Sequence, residues 1–159
     1  MTGPASATAS MVAAADCRDP RTAGRERWPL HQHLELSAVL TSPGCGRSWI
    51  RAVLREWKAE EAVDLAELIA SELLTNAVAA STRCGATTVH LDLASDRQRV
   101  LIMVRDFALG APAPRRPSAD DDSGRGLQIV AELAAQYGWQ QPLDGGPGKV
   151  VWVVVSEPE

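Results

Sequence analysis

Two polar side chains interrupt an apolar stretch in the middle of the sequence. Glu72 and Asn76 lie within residues 62–80, which are otherwise rich in Leu, Ala, Val and Ile. In an α-helix, residues four apart lie on one face, so the carboxylate and the amide point in the same direction. Asn is unfavourable in the interior of a helix. Burying the carboxylate and the amide without a partner would cost on the order of several kcal/mol. The pair therefore predicts a polar partner, which is either another protein group or a bound ligand with a metal ion.

Two further positions carry polar chemistry at the ends of predicted elements. Asp106 follows an apolar strand, where its carboxylate can accept a hydrogen bond from the exocyclic amine of a base. Gly124 and Gly126 open a helix, where free backbone N–H groups favour a phosphate. The amide oxygen of Asn76 is a hard ligand that suits Mg²⁺. Each feature alone is more typical of a turn or a satisfied buried group, but together they predict a nucleotide pocket.

Alternating apolar and polar residues predict the elements that position these side chains. In residues 88–93, Val89, Leu91 and Leu93 are expected to point inward, and His90 and Asp92 outward. A Pro-rich loop precedes Gly124 and is too long to be an ordinary connection. Two hairpins and gathered helices predict an α+β fold, a two-layer α/β sandwich. Its sheet is mixed but mostly antiparallel, with about five strands and three helices on one face. The elements are strands at 33–39, 88–93, 100–104, 137–141 and 149–155, and helices at 42–58, 61–85 and from 124 onward.

Composition and charge restrict the classes of function. We expect residues 1–27 to form a disordered tail and residues 28–159 to form one domain. A net charge of -4 and the lack of an arginine stripe with aromatics argue against nucleic-acid binding. No apolar run reaches the length of a membrane span. Three cysteines without a CxxC motif are typical of free thiols in a reducing compartment, so we predict a cytoplasmic protein.

Three sequence motifs resemble those of the Bergerat-fold ATPases, the superfamily of gyrase, MutL and histidine kinases. Glu72-Leu-Leu-Thr-Asn76 resembles the N-box, Asp106-x-Ala-x-Gly110 the first glycine box, and Gly124-Arg-Gly-Leu127 the second. Two further features resemble one subfamily, the stand-alone anti-sigma factor serine/threonine kinases. They are a helix with two Trp residues before the N-box and the sequence Gly148-Lys-Val-Val-Trp152.

The resemblance implies ATP and Mg²⁺ as cofactors and a role for each matching residue. Asn76 would coordinate the metal, and Glu72 would be the general base of a protein serine/threonine kinase. Asp106 would hold the adenine amine, and the long loop would be a lid over ATP. The remaining expected nucleotide contacts come from Gly110, Gly124, Arg125, Gly126 and Leu127.

The same resemblance implies protein partners, namely a sigma factor, an anti-anti-sigma antagonist, or both. The sequence leaves homodimerisation open. Two departures from the family pattern bear on nucleotide binding. Ala108 stands where the family usually has Gly, and Val150 where it commonly has a Thr of the adenine network. These changes keep an alternative open, in which the chain is a protein-interaction module without kinase activity.

Overall fold

One five-stranded sheet forms the centre of the computed structural model, which describes residues 27–108, 130 and 132–156. The strand order is β1-β2-β3-β5-β4, and all four pairings between these strands are antiparallel. The predicted α+β fold is confirmed, although the prediction of a mixed sheet had allowed for a parallel pair. The strands are β1 (Leu30–Ser37), β2 (Thr88–Ser95), β3 (Arg99–Asp106), β4 (Gln136–Gln140) and β5 (Lys149–Ser156).

Two helices cover one face of this sheet. Helix α1 spans Ser42–Glu56, and helix α2 spans Val63–Cys84 after a short 3₁₀ turn at Glu60–Ala62. Helix α2 ends at Gly85, whose φ of 77° lies in the left-handed region. The sequence had predicted this end of the helix from the glycine. Neither helix, nor any other within the described ranges, is long and apolar enough to cross a membrane.

Most of the third predicted helix, all of the predicted lid and most of the predicted tail lie outside the described residues. Of that helix the structure describes Val130, Glu132 and Leu133, which are helical. Val130 is buried and joins the main core. The division into a tail at 1–27 and a domain at 28–159 therefore stays a prediction.

The main core lies between the sheet and the helices and is almost entirely aliphatic. Successive residues of a strand point to opposite faces of the sheet, so every second residue of β2, β3 and β5 points to this side. These residues are apolar because they pack in the core. The fully buried members include Ile50 and Leu54 from α1, Ile69 and Leu74 from α2, and, from the sheet, Val89, Leu91, Leu93, Val100, Ile102, Val153 and Val155.

The opposite face of the sheet carries a smaller apolar cluster. Trp152 of β5 is fully buried there, and Trp28, just before β1, lies against the same cluster with 4% of its surface exposed. Leu101, Ala94 and Val154 complete its buried part. This second face, which we call the open face, is the one that points away from α1 and α2.

Candidate functional site

Glu72 and Asn76 lie one helical turn apart on α2, as predicted, and both are half-buried. The buried residues of this part of the helix, Leu73, Leu74 and Ala77, belong to the main core. Glu72 and Asn76 thus lie at the margin of that core. The expected penalty for deep burial therefore does not apply in full, although the Oε2 atom of Glu72 is itself buried.

Asp106 forms a buried ion pair with Lys149. These residues are the last of β3 and the first of β5, and they face each other in the antiparallel register. Lys149 Nζ donates to Asp106 Oδ1 at 3.0 Å, and only 6% and 5% of the two side chains are exposed. The backbone N–H of Ala108 donates to the same oxygen at 2.9 Å. The carboxylate is therefore fixed in position by two donors.

The second carboxylate oxygen of Asp106 keeps its acceptor capacity. Both donors from the described residues bind Oδ1, whereas an ionised carboxylate has about four lone-pair sites on its two oxygens. Oδ2 can thus accept a hydrogen bond from a bound molecule, and the exocyclic amine of a purine fits this requirement. Lys149 supplies the counter-charge that a carboxylate at this depth needs.

Gly148 allows the chain before β5 to cross directly over the end of β3. A Cβ atom at this position would lie 1.9 Å from the carbonyl oxygen of Asp106 and 2.8 Å from the Cα atom of Phe107. The φ angle of Gly148 is 95°, which other residues rarely adopt. Glycine is therefore required for the close approach that brings Lys149 to Asp106.

The two departures from the family pattern do not disturb Asp106. Ala108 is not among the non-glycine residues with positive φ, which in the described structure are Lys58 and Arg97. Its backbone is therefore not strained by the missing glycine. Val150 faces the open side of the sheet, away from Asp106, because neighbouring strand residues point to opposite faces. A hydroxyl at position 150 would not reach the Asp106 carboxylate in this register.

The remaining predicted site residues, Gly110, Gly124, Arg125, Gly126 and Leu127, lie outside the described residues. Their phosphate contacts stay predictions. Within the described ranges, no group of three His, Cys, Asp or Glu side chains is arranged to hold a metal ion. The assignment of Mg²⁺ to the amide of Asn76 also stays a prediction.

Lys149 was not predicted as a site residue, although the sequence contains a signal for it. It is one of only two lysines in the chain and is the first residue of a strand that is apolar on both faces. A lysine at the start of such a strand is rarely buried without a carboxylate partner. The partner could not be named from sequence because it lies 43 residues earlier.

Comparison with known proteins finds a family that matches most of the chain. A family model described as a histidine kinase-like ATPase domain matches residues 43–155. The match begins in α1 and ends in β5, so it includes Glu72, Asn76, Asp106 and Lys149. No curated protein matches the chain.

Proposed function

The chain belongs to the family of histidine kinase-like ATPase domains, and we propose that it is an ATP-dependent protein serine/threonine kinase of the anti-sigma factor type. Membership of the family implies ATP binding. The observation that carries the proposal is the buried Asp106 carboxylate, held by Lys149 and Ala108 through one oxygen, while no described residue donates to the other. Its partner protein would be an antagonist with a phosphorylatable Ser or Thr, a sigma factor, or both.

In this proposal each described polar residue has one task. Asp106 Oδ2 accepts a hydrogen bond from the adenine amine, and this contact selects adenine over bases that lack a donor there. Asn76 would hold Mg²⁺, which when bound offsets the negative charge of the phosphates. The main core below α2 supports the helix that carries both Asn76 and Glu72.

Glu72 is the proposed general base for phosphoryl transfer. Its carboxylate accepts the proton of the attacking Ser or Thr hydroxyl while that oxygen bonds to the γ-phosphorus. The bond from the γ-phosphorus to the bridging oxygen breaks at the same time, and ADP leaves. Glu72 is half-buried at the margin of the main core, and the proposal requires the hydroxyl of the protein substrate to reach its carboxylate there.

Calorimetry with ATP, with and without Mg²⁺, tests the binding half of the proposal. We expect binding that depends on Mg²⁺ and that Asn76→Ala weakens at least about tenfold, which corresponds to about 1.4 kcal/mol. Thr82→Ala is the matched control, because the Thr82 hydroxyl lies on the same helix and only bonds the carbonyl of Val78. Absence of ATP binding would instead favour the alternative, a protein-interaction module.

Transfer of labelled γ-phosphate to candidate antagonist proteins tests the catalytic half. Glu72→Gln keeps the shape of the side chain but removes the base, so we expect a loss of about 10²–10⁴-fold in rate. Glu67→Gln is the control, since Glu67 is a carboxylate on the same helix that pairs with Arg51. Equal transfer by wild type and Glu72→Gln would remove the base from the proposal while leaving ATP binding intact.

A further inference from the structure

A cavity of about 500 Å³ opens on the face of the sheet away from α1 and α2. Its apolar lining comes from three strands and from the segments before β1 and β5. This volume lies within the range of about 300–1,000 Å³ that is usual for small-molecule sites. The main apolar side chains are Trp28, Ala94, Leu101, Met103, Pro142 and Val150.

One wall of this cavity carries all three histidines of the chain, His31, His33 and His90. His31 Nε2 and His33 Nδ1 both lie within hydrogen-bond distance of Asp92 Oδ1, at 3.2 Å and 3.0 Å. The rings of His33 and His90 meet edge to face, with centroids 5.1 Å apart. His90 Nε2 in turn lies 3.5 Å from a carboxylate oxygen of Glu35.

The strand register produces this cluster. His31 and His33 are two residues apart on β1 and therefore share one face of the sheet. Asp92 of β2 stands directly opposite His33, and His90 stands opposite Glu35. The side chains of Asp92 and His90 are each 24% exposed, and those of His31 and His33, at the outer part of the wall, are 44% and 46% exposed. The cluster is thus a built wall of the cavity.

The wall offers acceptors to a ligand. A neutral imidazole has one N–H donor and one acceptor nitrogen, so a histidine that donates to Asp92 presents its other nitrogen as an acceptor. In the neutral tautomers that donate to Asp92, the acceptors left for a ligand are His31 Nδ1, His33 Nε2 and the second oxygen of Asp92. The one cation of the cavity lining in the described structure, Arg105, is bound to Asp144 at 2.9 Å and to the carbonyl of Pro147 at 2.9 Å.

We propose that this cavity binds a small organic cation, a ring that carries an amidine, guanidine or amine group. The ring would lie against Leu101 and Trp28, and the cationic N–H groups would donate to Asp92 and the flanking imidazoles. The acceptors of this wall and the second carboxylate oxygen of Asp92, which receives no hydrogen bond from the described residues, favour such a ligand over an anion. The site is separate from Asp106, whose side chain lies on the other face of the sheet.

Selective ¹⁵N labelling of histidine tests the proposal, because every imidazole signal of the chain then reports on this wall. We would titrate the full chain with benzamidine and compare benzyl alcohol and benzoate, which have a similar ring but no charge or a negative charge. Saturable shifts should be largest for benzamidine and smallest for benzoate. Shifts as large with benzoate, or no saturable shift at millimolar benzamidine, would overturn the proposal.

Variants locate the effect. Asp92→Asn should abolish the preference for benzamidine over benzyl alcohol, whereas Asp64→Asn, an exposed carboxylate at the start of α2, should keep it. Val150→Met fills the cavity from its floor and leaves the acceptors in place, so it should weaken both probes. Retained cation preference in Asp92→Asn would contradict the proposal.

Two further outcomes are distinguishable. Histidine shifts that follow protein concentration alone would mean that a second copy of the chain covers this face, and they would overturn a small-molecule site. The titrations contain no nucleotide, so their failure leaves the proposed ATP site untouched. Failure of ATP binding likewise leaves the cation site to stand on its own result.

Discussion

The helix-covered face and the open face of the sheet use the same strands but bury their side chains differently. On the helix side, aliphatic residues of β2, β3 and β5 pack under α1 and α2, and the charged residues that are buried in the described part of the chain, Asp106 and Lys149, form a pair at the margin. On the open side, two indole rings, Trp28 and Trp152, cover a smaller cluster beside half-exposed imidazoles. The charged pair therefore needs mutual neutralisation, whereas the histidine wall keeps contact with solvent.

Strand alternation keeps the two faces chemically separate even where they share a backbone. Arg105 and Asp106 are neighbours on β3, yet Arg105 lines the open-face cavity and Asp106 pairs with Lys149 on the helix side. Substitutions that act on one face should therefore leave the other intact. The experiments below use this separation.

Gly148→Ala should have the largest effect, because it disrupts the margin of the helix-covered face through the backbone. The new Cβ would lie 1.9 Å from the Asp106 carbonyl oxygen at a φ of 95°, so β5 must shift. We expect a loss of about 5 kcal/mol in the free energy of unfolding, or failure to fold. Urea denaturation measures it, with loss of ATP binding as a second readout.

Gly145→Ala is the matched control for Gly148→Ala. Gly145 lies in the same loop and also has positive φ, 73°, but a Cβ there meets nothing within 4 Å. Strain alone should cost about 1 kcal/mol. Equal losses in the two variants would show that the close approach to Asp106 does not matter.

Lys149→Met should cause the next largest loss in the free energy of unfolding, since it leaves the Asp106 carboxylate buried without its counter-charge. Breaking a buried pair from one side costs about 3–5 kcal/mol. The double variant Asp106→Asn/Lys149→Met should recover part of this loss, because no buried charge remains. Chemical denaturation of Asp106→Asn, Lys149→Met and the double variant gives the coupling energy, and an additive double variant would refute the pairing.

The sequence predicted the elements well where periodicity alone decides them. The alternation of Val89, Leu91 and Leu93 correctly placed β2, and Gly85 correctly placed the end of α2. The same alternation predicted that His90 points away from the main core, and in the structure His90 lies on the open face. Local patterns sufficed because strand and helix periods are properties of short segments.

Contacts between distant segments could not be predicted in the same way. Asp106 and Lys149 are 43 residues apart, and His33 and Asp92 are 59 apart, so the register of strand pairing decides both contacts. The alternation of apolar and polar residues predicts which face of the sheet a residue occupies, but it does not predict which strand pairs with its own. For the same reason Asp106 was predicted as a ligand contact without its lysine, and the histidine wall was not predicted.

A pair of glycine substitutions compares the packing of the two faces directly. Gly138→Ala on the open face would place Cβ 2.7 Å from Cζ2 of Trp152, and a rigid, fully buried ring cannot move aside. We expect a loss of about 1–3 kcal/mol in the free energy of unfolding. Near-neutral behaviour in thermal denaturation would mean that the Trp152 cluster is loosely packed.

Gly46→Ala is the counterpart on the helix-covered face. Its Cβ would approach Cδ1 of Leu74, the far end of a flexible side chain, at 2.4 Å. Alanine also gains about 1 kcal/mol of helix propensity over glycine within α1. The two terms oppose each other, so Gly46→Ala should cost less than Gly138→Ala, and the reverse order would contradict the packing difference.

The smallest expected effect lies at the β2–β3 turn, at the other end of β3 from Asp106. Burial alone would raise the pKa of Asp96, but hydrogen bonds from the N–H of Gln98 and from Arg99 outweigh it and lower that pKa. A carboxyl whose pKa is lower in the folded state stabilises the fold above its unfolded pKa of about 3.9, and this stabilisation disappears as the pH falls through the folded pKa. Asp96→Asn should therefore lose less than about 1 kcal/mol at pH 7 and show a flatter acid limb of stability against pH. The Asp64→Asn variant serves as control, and an unchanged acid limb in Asp96→Asn would show that this turn contributes nothing to the pH dependence of either face.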